Sequence, residues 1–178
     1  MSGSAVRVVD PVTLADCPVG QRGEVLVAGS RIMKGYWRKP GQTAEVMLPG
    51  GWLRTGDGSF DADGFLYLHD RLKDMIVSGG ENVYPAEVES VMTGHPAVAE
   101  VAVIGVPSAE WGESPYAVVV LRPGAYVSEA ELIAWIRDRV AHFKCPVGVS
   151  FAPSLARTAS GKLQKQAIRA SLSSVAVR

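Results

Sequence analysis

Cysteine and histidine are scarce in this sequence of 178 residues, and their scarcity excludes several kinds of site. The two cysteines, Cys17 and Cys145, lie far apart and lack the neighbouring cysteines or histidines of a disulfide framework or a zinc site. The three histidines, His69, His95 and His142, have no partner at metal-ligand or catalytic spacing. We therefore expect no metal site in this chain and two thiols that suit a reducing cytoplasm.

An excess charge and long apolar runs are also lacking. Eighteen basic residues balance eighteen acidic ones, so no net field attracts nucleic acid or an anionic membrane. No apolar run approaches the ~18 residues of a membrane-spanning helix, and the first residues lack the basic and apolar regions of a signal peptide. We expect a cytoplasmic globular protein without a nucleic-acid partner, which would meet a membrane surface only through its substrate.

The first seventy residues contain short strands and turns. Residues 23–28 and 65–68 are typical of strands, residues 55–57 of a loop, and no long helix pattern appears before Pro85. Such a segment is a piece of a barrel or sandwich, and its strand edges lack an obvious closing element. Either a larger domain has been cut, or the edges pair between copies of the chain, which leaves a homo-oligomer open.

Helices and strands alternate in the rest of the chain. Pro85 suits a first helical position and starts an apolar stripe that ends near Gly94. Ser128 and Glu131 form a capping box before another helix. The other predicted elements are buried strands at 98–106 and 116–121 and a last helix at about 164–172. The fold class is therefore α+β, with a compact second region.

Lys162 ends the flexible loop RTASGK at 157–162. A lysine is a compact charge on a long stem, which suits it to neutralise oxygen atoms that gain charge in a transition state. The loop lacks the first glycine and the strand–helix context of a nucleotide-binding P-loop, which we reject. The alternative is a solvated loop lysine.

Asp57 and Arg71 are candidates for nucleotide contacts. Asp57 follows a glycine at the end of a short strand, and its carboxylate could accept hydrogen bonds from a sugar diol. Arg71 could supply complementary donors. The alternatives are an Asx-turn aspartate and an arginine of a surface ion-pair cluster.

A third group of candidates surrounds a diglycine turn. In SGGE at 78–81, Gly79 and Gly80 carry no Cβ and allow a ligand to approach the backbone, although an ordinary turn explains the pattern equally well. Trp111, between two predicted strands, is either an exposed aromatic for ligand packing or a hydrophobic cap.

Taken together, these segments carry a family resemblance. Five motifs occur in order: GYW at 35–37 with Pro40 and Thr43, GWLRTGD at 51–57, DRLKD at 70–74, SGGENVYP at 78–85 and RTASGK at 157–162. The chain resembles the C-terminal part of an adenylate-forming acyl-CoA synthetase of the fatty-acid–CoA ligase type. The resemblance extends over residues 6–172, and five ordered motifs are far more specific than any single one.

The resemblance implies both an architecture and a reaction. Residues 1–71 would be the β-rich end of a large N-terminal nucleotide-binding domain, and residues 72–178 a small, mobile C-terminal domain. The family uses ATP to convert a carboxylic acid, here expected to be a fatty acid, to an acyl-adenylate, and then transfers the acyl group to CoA.

Residue roles also follow from the resemblance. Lys162 would be the catalytic lysine of the first half-reaction, Asp57 would bind the ribose hydroxyls, and Arg71 would assist there or at the phosphates. Lys73 would be the hinge between the domains. The CoA tunnel would be lined by Ser78, Gly79, Gly80 and Glu81, with Trp111 nearby.

Two departures and one absence qualify the resemblance. Asp57 is followed directly by Gly58 and Ser59, one residue short of the family pattern, and Ala156 replaces a common proline. The phosphate loop, the acyl pocket and the acidic Mg²⁺ ligand of the family belong to the large domain and have no match here. We therefore expect the isolated chain to be inactive in forming acyl-adenylate.

Two alternatives to a CoA ligase remain open from the sequence. One is a non-catalytic module that binds CoA or a carrier protein. The other is a ligase whose acceptor is a carrier-protein phosphopantetheine. The acyl substrate and its chain length have no sequence signal, because no acyl pocket is present.

Overall fold

The computed structural model describes residues 3–62 and 65–172. The chain divides into two compact units, with the boundary between Lys73 and Asp74. Helices and strands are mixed, as predicted, and the α+β class is confirmed. Among the described residues, no helix has the length and apolar character needed to cross a membrane.

The first unit is built on an antiparallel sheet. Within the described residues it contains β1 (Ala5–Val9), β2 (Gly23–Ala28), a short helix α1 (Pro40–Val46), β3 (Met47–Leu48), β4 (Trp52–Ala62) and β5 (Phe65–Arg71). Strand β4 is the centre of this sheet, because it pairs with β2, β3 and β5. The buried apolar residues of the unit include Val9, Val25 and Leu26.

The loop predicted at residues 55–57 is wrong. These residues lie inside β4, where the register with β2 shifts between Glu24 and Leu26. One residue of β2 therefore faces three of β4, and Gly56 adopts a φ of +70° that favours glycine. The glycine marks a bulge within a long strand, not the end of a short one. The pattern DADG at 61–64 also predicts a turn, of which residues 63 and 64 lie outside the described residues.

The second unit contains more helix. Its elements are β6 (Ile76–Ser78), β7 (Glu81–Val83), α2 (Pro85–Thr93), β8 (Val98–Ser108), β9 (Gly112–Leu121), α3 (Glu129–Arg137), β10 (Val149–Phe151) and α4 (Lys165–Leu172). Strand β9 pairs antiparallel with β8 and β6 and parallel with β10. The predicted helices and valine-rich strands of this region are present, with ends within a few residues of the predicted ones.

Helices cover both faces of the β8–β9 pair, which explains why residues 101–106 of β8 and 117–121 of β9 carry no charged side chain. Val101 and Val103 of β8 belong to a core that includes Val88 of α2 and Ile136 of α3. The intervening residues face the opposite side and pack with α4, in a second cluster of Ala102, Ile104, Val106, Val118, Leu155, Ile168 and Leu172. The sheet is thereby fixed as a rigid support for the loops at its ends.

The predicted capping box at the start of α3 is confirmed. The backbone N–H of Glu131 donates to Ser128 Oγ at 3.3 Å, and Glu131 Oε2 accepts from the backbone N–H of Ser128 at 2.8 Å. Two donors that a helix start leaves unpaired are satisfied in this way. Helix α3 begins at Glu129 and presents Leu132 and Ile136 to the core.

Candidate functional site

A pocket of about 390 Å³ lies in the second unit and collects four of the five residues predicted for a CoA tunnel. Ser78, Gly79, Glu81 and Trp111 line it, whereas Gly80 is not among the lining residues. The remaining lining residues are Ser114, Pro115, Ile133, Arg137, His142, Phe143, Cys145, Pro146 and Val147. Most of these side chains are apolar, as in typical pockets for organic ligands.

Gly79 and Trp111 meet at the mouth of this pocket. The backbone N–H of Gly79 donates to the carbonyl oxygen of Trp111 at 3.0 Å, beside the pairing of Ser78 with Gly112. A Cβ on Gly79 would lie 2.6 Å from Cε3 of the Trp111 indole, and the φ of Gly79 is +60°. Only glycine allows the ring to lie against the backbone here. Trp111 remains 50% exposed, so its ring is accessible to a ligand.

His142, Phe143 and residues 145–147 follow α3 in the chain and form one wall of the pocket. Lys144 Nζ forms an ion pair of 2.6 Å with Glu87 Oε1 on α2, and the backbone N–H of Val147 donates to the carbonyl oxygen of Pro115 at 2.8 Å. Cys145 lies in this wall, where burial raises the pKa of its thiol against the opposing effect of Arg137. The pocket wall therefore holds a neutral thiol, and Arg137 supplies positive charge.

Lys162 lies in an exposed hairpin closed by a bridge between Arg157 and Leu163. The backbone N–H of Thr158 donates to the carbonyl oxygen of Lys162 at 2.8 Å, and the backbone N–H of Lys162 donates to Thr158 Oγ1 at 3.1 Å. The backbone N–H of Gly161 donates to the carbonyl oxygen of Thr158 at 2.9 Å. The loop is thus an ordered turn that presents the lysine to solvent, and Lys162 does not line the pocket.

Asp57 belongs to the bulge of β4, whose position is set by Glu24 of β2. Glu24 is 2% exposed, and its carboxylate accepts two hydrogen bonds from Arg54, at 2.5 and 2.9 Å, and one from the backbone N–H of Gly56 at 3.2 Å. Thr55 Oγ1 donates to the carbonyl oxygen of Val25 and accepts from the backbone N–H of Asp57. The buried Glu24 carboxylate and the Thr55 hydroxyl therefore fix the backbone that leads into Asp57.

Arg71 and Lys73 come at the end of the first unit. The backbone of Arg71 pairs with Asp57 in the β4–β5 register, which brings the two predicted nucleotide contacts into adjacent positions. The side chain of Arg71 lies outside the described residues. Lys73 is exposed within a short 3₁₀ turn, Leu72–Asp74, and is the last residue of the first unit.

Sequence reasoning missed two sets of residues that shape these sites. Arg137, His142 and Cys145 join the pocket only through the packing of α3 and the turn after it, so no local pattern announces them. Glu24 lies in a segment that the sequence predicts as an ordinary strand. The available signal was an acidic residue between a glycine and the apolar residues 25–28. A buried strand position is rarely charged unless the charge is paired, so this acid indicated a partner elsewhere in the chain.

Comparison with known proteins gives the family. Residues 87–162 match the AMP-binding enzyme C-terminal domain. The chain contains an AMP-binding enzyme C-terminal domain. The resemblance inferred from the five motifs, to the C-terminal part of an adenylate-forming enzyme, is confirmed.

Individual relatives extend the similarity beyond this domain. The chain is 50% identical over 153 residues to a feruloyl-CoA synthase of Amycolatopsis sp, which covers 85% of this chain and 31% of the relative. It is 43% identical over 155 residues to the fatty acid–[acyl-carrier-protein] ligase ScoC of Streptomyces coeruleorubidus, covering 86% of this chain and 30% of the relative. The chain therefore spans about a third of the length of the curated relatives it matches.

A solved structure agrees with these relatives. The ATP-bound structure of MatB from Rhodopseudomonas palustris matches with a TM-score of 0.90 and 39% identity, over 98% of this chain and 35% of that protein. Among the residues that the structure describes, no group of three or more His, Cys, Asp or Glu side chains is arranged to hold a metal ion.

Proposed function

We propose that this chain is the C-terminal portion of an ATP-dependent acid–thiol ligase. Such a ligase converts a carboxylic acid to an acyl-adenylate with release of pyrophosphate, and then transfers the acyl group to a thiol with release of AMP. The observation that carries the proposal is the shared pocket of Ser78, Gly79, Glu81 and Trp111, because the resemblance implies a CoA tunnel along residues 78–81 with Trp111 nearby. The similarity to a feruloyl-CoA synthase supports it.

Lys162 is the proposed catalytic residue of the first half-reaction. Its ammonium would contact oxygens of the nucleotide and of the carboxylate while negative charge develops during attack. The ordered turn at Thr158 and Gly161 supports this role, because a lysine on a fixed backbone loses less freedom when it engages an anion.

Asp57 and Arg71 are the proposed nucleotide contacts. A carboxylate at Asp57 suits the two ribose hydroxyls, since each of its oxygens accepts a hydrogen bond. The support is the rigid bulge that Glu24 and Arg54 build around Asp57, with Arg71 at the paired backbone position. Mg²⁺ would accompany ATP, with its protein ligand expected in the part of the enzyme that precedes this chain.

The pocket of the second unit is the proposed site for the thiol substrate. Its apolar lining suits the pantetheine arm of CoA, and Arg137 adds a positive charge for the anionic end of such a ligand. Gly79 and Trp111 line the part of the pocket that the arm would cross.

Lys73 is the proposed hinge. It closes the first unit, so a change of its backbone torsions would turn one unit against the other between the half-reactions. The proposed domains are residues 1–71, the end of a large nucleotide-binding domain, and residues 72–178, the small mobile domain.

The acid and the acceptor are narrower proposals. We propose a fatty acid as substrate, CoA as acceptor and a cytoplasmic location. A carrier-protein phosphopantetheine is the second candidate acceptor, favoured by the similarity to ScoC. Both acceptors present the same thiol arm. A carrier protein has no nucleotide end like that of CoA, so Arg137 would lose the anionic group proposed as its partner.

A chimera tests the proposed function. The third of the Amycolatopsis feruloyl-CoA synthase that matches this chain is replaced by the chain, and feruloyl-CoA formation from ferulate, ATP and CoA is measured. We expect an active chimera, and no product from the truncated synthase or from the chain alone. An inactive, folded chimera would contradict the proposal, and CoA binding by the chain in calorimetry would then favour a non-catalytic module. Pyrophosphate release by the chain alone would contradict its expected inactivity.

A further inference from the structure

Arg157 holds the hairpin of Lys162 from within. Its Nη1 donates to the carbonyl oxygen of Gly161 at 2.7 Å, across the turn and directly before the lysine. Gly161 has a φ of +83°, so its carbonyl direction depends on a backbone conformation that other residues rarely adopt. Because this carbonyl belongs to the peptide plane that joins Gly161 to Lys162, fixing it fixes the base of the Lys162 side chain.

The other end of the same guanidinium is attached to the sheet. Nη2 of Arg157 donates to Glu100 Oε2 at 2.5 Å, 57 residues earlier in the chain. Glu100 stands on β8 immediately after a register shift between Val98 and Glu100, and bulges of this kind redirect a side chain. The next three β8 residues are buried. Val101 and Val103 belong to the first core cluster, and Ala102 belongs to the second. The guanidinium therefore connects the lysine loop to a strand whose next three residues are buried on both faces of the sheet.

Both partners are about half exposed, Arg157 at 43% and Glu100 at 44%. A solvated ion pair of this kind contributes little to folding. The planar fork of an arginine can nevertheless hold two acceptors in one fixed geometry, which a lysine cannot. The expected effect of the pair is therefore on the orientation of the loop, with little effect on the stability of the unit.

We propose that Arg157 and Glu100 are positioning residues for Lys162: Glu100 anchors the guanidinium, and the guanidinium sets the peptide that carries the lysine. This proposal rests on the proposed function of Lys162. It concerns only the first half-reaction, because the thiol pocket contains none of these three residues.

The first test uses the chain by itself and does not depend on catalysis. Amide hydrogen exchange is measured at Gly161 and Lys162 in the wild type, Arg157→Ala, Glu100→Gln and the control Arg122→Ala. We expect exchange at both amides to rise about fivefold in Arg157→Ala and in Glu100→Gln. This is the upper limit for the loss of one solvent-exposed ion pair, about fivefold. The control and the urea midpoint of every variant should stay near wild type. Unchanged exchange in Arg157→Ala would overturn the proposal.

The second test uses the chimera and separates the half-reactions. Adenylation is followed as acid-dependent pyrophosphate release, and thiol transfer is started from synthetic feruloyl-adenylate and CoA. Arg157→Ala should slow adenylation roughly 10- to 100-fold, as expected when a catalytic group is misplaced by about an ångström. Thiol transfer should stay at the wild-type rate. Arg157→Lys keeps the charge but cannot hold both acceptors in one geometry, so it should remain slow.

Glu100→Gln decides between positioning and direct contact with the nucleotide. A positioning role predicts that Glu100→Gln slows adenylation in the same direction as Arg157→Ala, and that the double variant is no slower than Arg157→Ala alone. Wild-type adenylation in Glu100→Gln, beside a slow Arg157→Ala, would overturn the proposal. If instead Lys162→Ala leaves adenylation unchanged, the proposed function fails, whereas the exchange experiment still reports on the loop.

Discussion

The backbone N–H of Gly79 donates a 3.0 Å hydrogen bond to the carbonyl oxygen of Trp111, and the Trp111 indole lies where a Gly79 side chain would be. The contact joins the diglycine turn to the β8–β9 connection. It also defines the rim of the proposed thiol pocket. We therefore expect both the stability of the unit and the binding of the proposed thiol ligand to depend on this contact.

Gly79→Ala tests this contact, with Gly80→Ala as a matched control. Both glycines have positive φ, +60° and +85°, but a Cβ on Gly80 would meet nothing within 4 Å. Gly80→Ala should cost only the backbone strain, about 1–2 kcal/mol. Gly79→Ala should cost more in urea unfolding and weaken CoA binding in calorimetry, because the indole must move. Equal effects of the two variants would show that the Trp111 contact is unimportant.

Cys145 provides a probe of pocket occupancy, with Cys17 of the other unit as an internal control. Burial raises the pKa of both thiols, so labelling with N-ethylmaleimide at pH 7 should be slow at each and faster at pH 9. Desulfo-CoA, which has no thiol of its own, should slow the labelling of Cys145 and leave that of Cys17 unchanged. Protection of neither cysteine at saturating desulfo-CoA would contradict the pocket assignment.

The Glu24–Arg54 pair predicts an asymmetric cost. Arg54→Met leaves the Glu24 carboxylate buried without its cation, and breaking such a pair costs about 3–5 kcal/mol. Glu24→Gln leaves a cation that is 31% exposed and can recruit water, so its cost should be nearer 1–3 kcal/mol. Urea unfolding, followed through the amide signals of β2 and β4, gives both values. The reverse order would contradict the account of the bulge.

The capping box predicts a pH dependence of stability. Hydrogen bonds from the Ser128 side chain and backbone lower the pKa of Glu131. A carboxylate whose pKa is lower in the folded state stabilises the fold above its unfolded pKa, near pH 4, and loses this effect as the pH falls through the folded value. The stability advantage of wild type over Glu131→Gln should therefore be present at pH 6–7 and vanish towards pH 2.5.

Glu110→Gln is the control for this experiment, since it removes an acid of the same unit away from the helix cap. Its stability difference from wild type should not follow the same pH course. An advantage over Glu131→Gln that persists undiminished at pH 2.5 would show that the capping box does not depend on the charge of Glu131.

Features set by neighbours in sequence were predictable, and features set by distant partners were not. The capping box of Ser128 and Glu131 and the start of α2 at Pro85 depend on residues within one turn, and the structure has both. The bulge at Gly56 depends on Glu24, 32 residues earlier, so a glycine that indicated a loop lies inside a strand.

The site shows the same division. Ser78, Gly79 and Glu81 could be proposed together because they belong to one motif. Arg137 and Cys145 enter the pocket only when α3 and the following turn pack against β9, a contact that no local pattern encodes. The link from Arg157 to Glu100 is likewise invisible in a sequence where the two residues are 57 positions apart.

The central claim is that Lys162 acts in the first half-reaction of an acid–thiol ligase. Its most direct test is Lys162→Ala in the feruloyl-CoA synthase chimera, with Arg122→Ala as a control cation of the same unit and each half-reaction measured separately. We predict that Lys162→Ala lowers acid-dependent pyrophosphate release by at least about 100-fold, the scale of removing one preorganised charge-stabilising group, while transfer from synthetic feruloyl-adenylate to CoA continues at the wild-type rate. Normal pyrophosphate release by Lys162→Ala, or an equal loss in both half-reactions, would contradict the account.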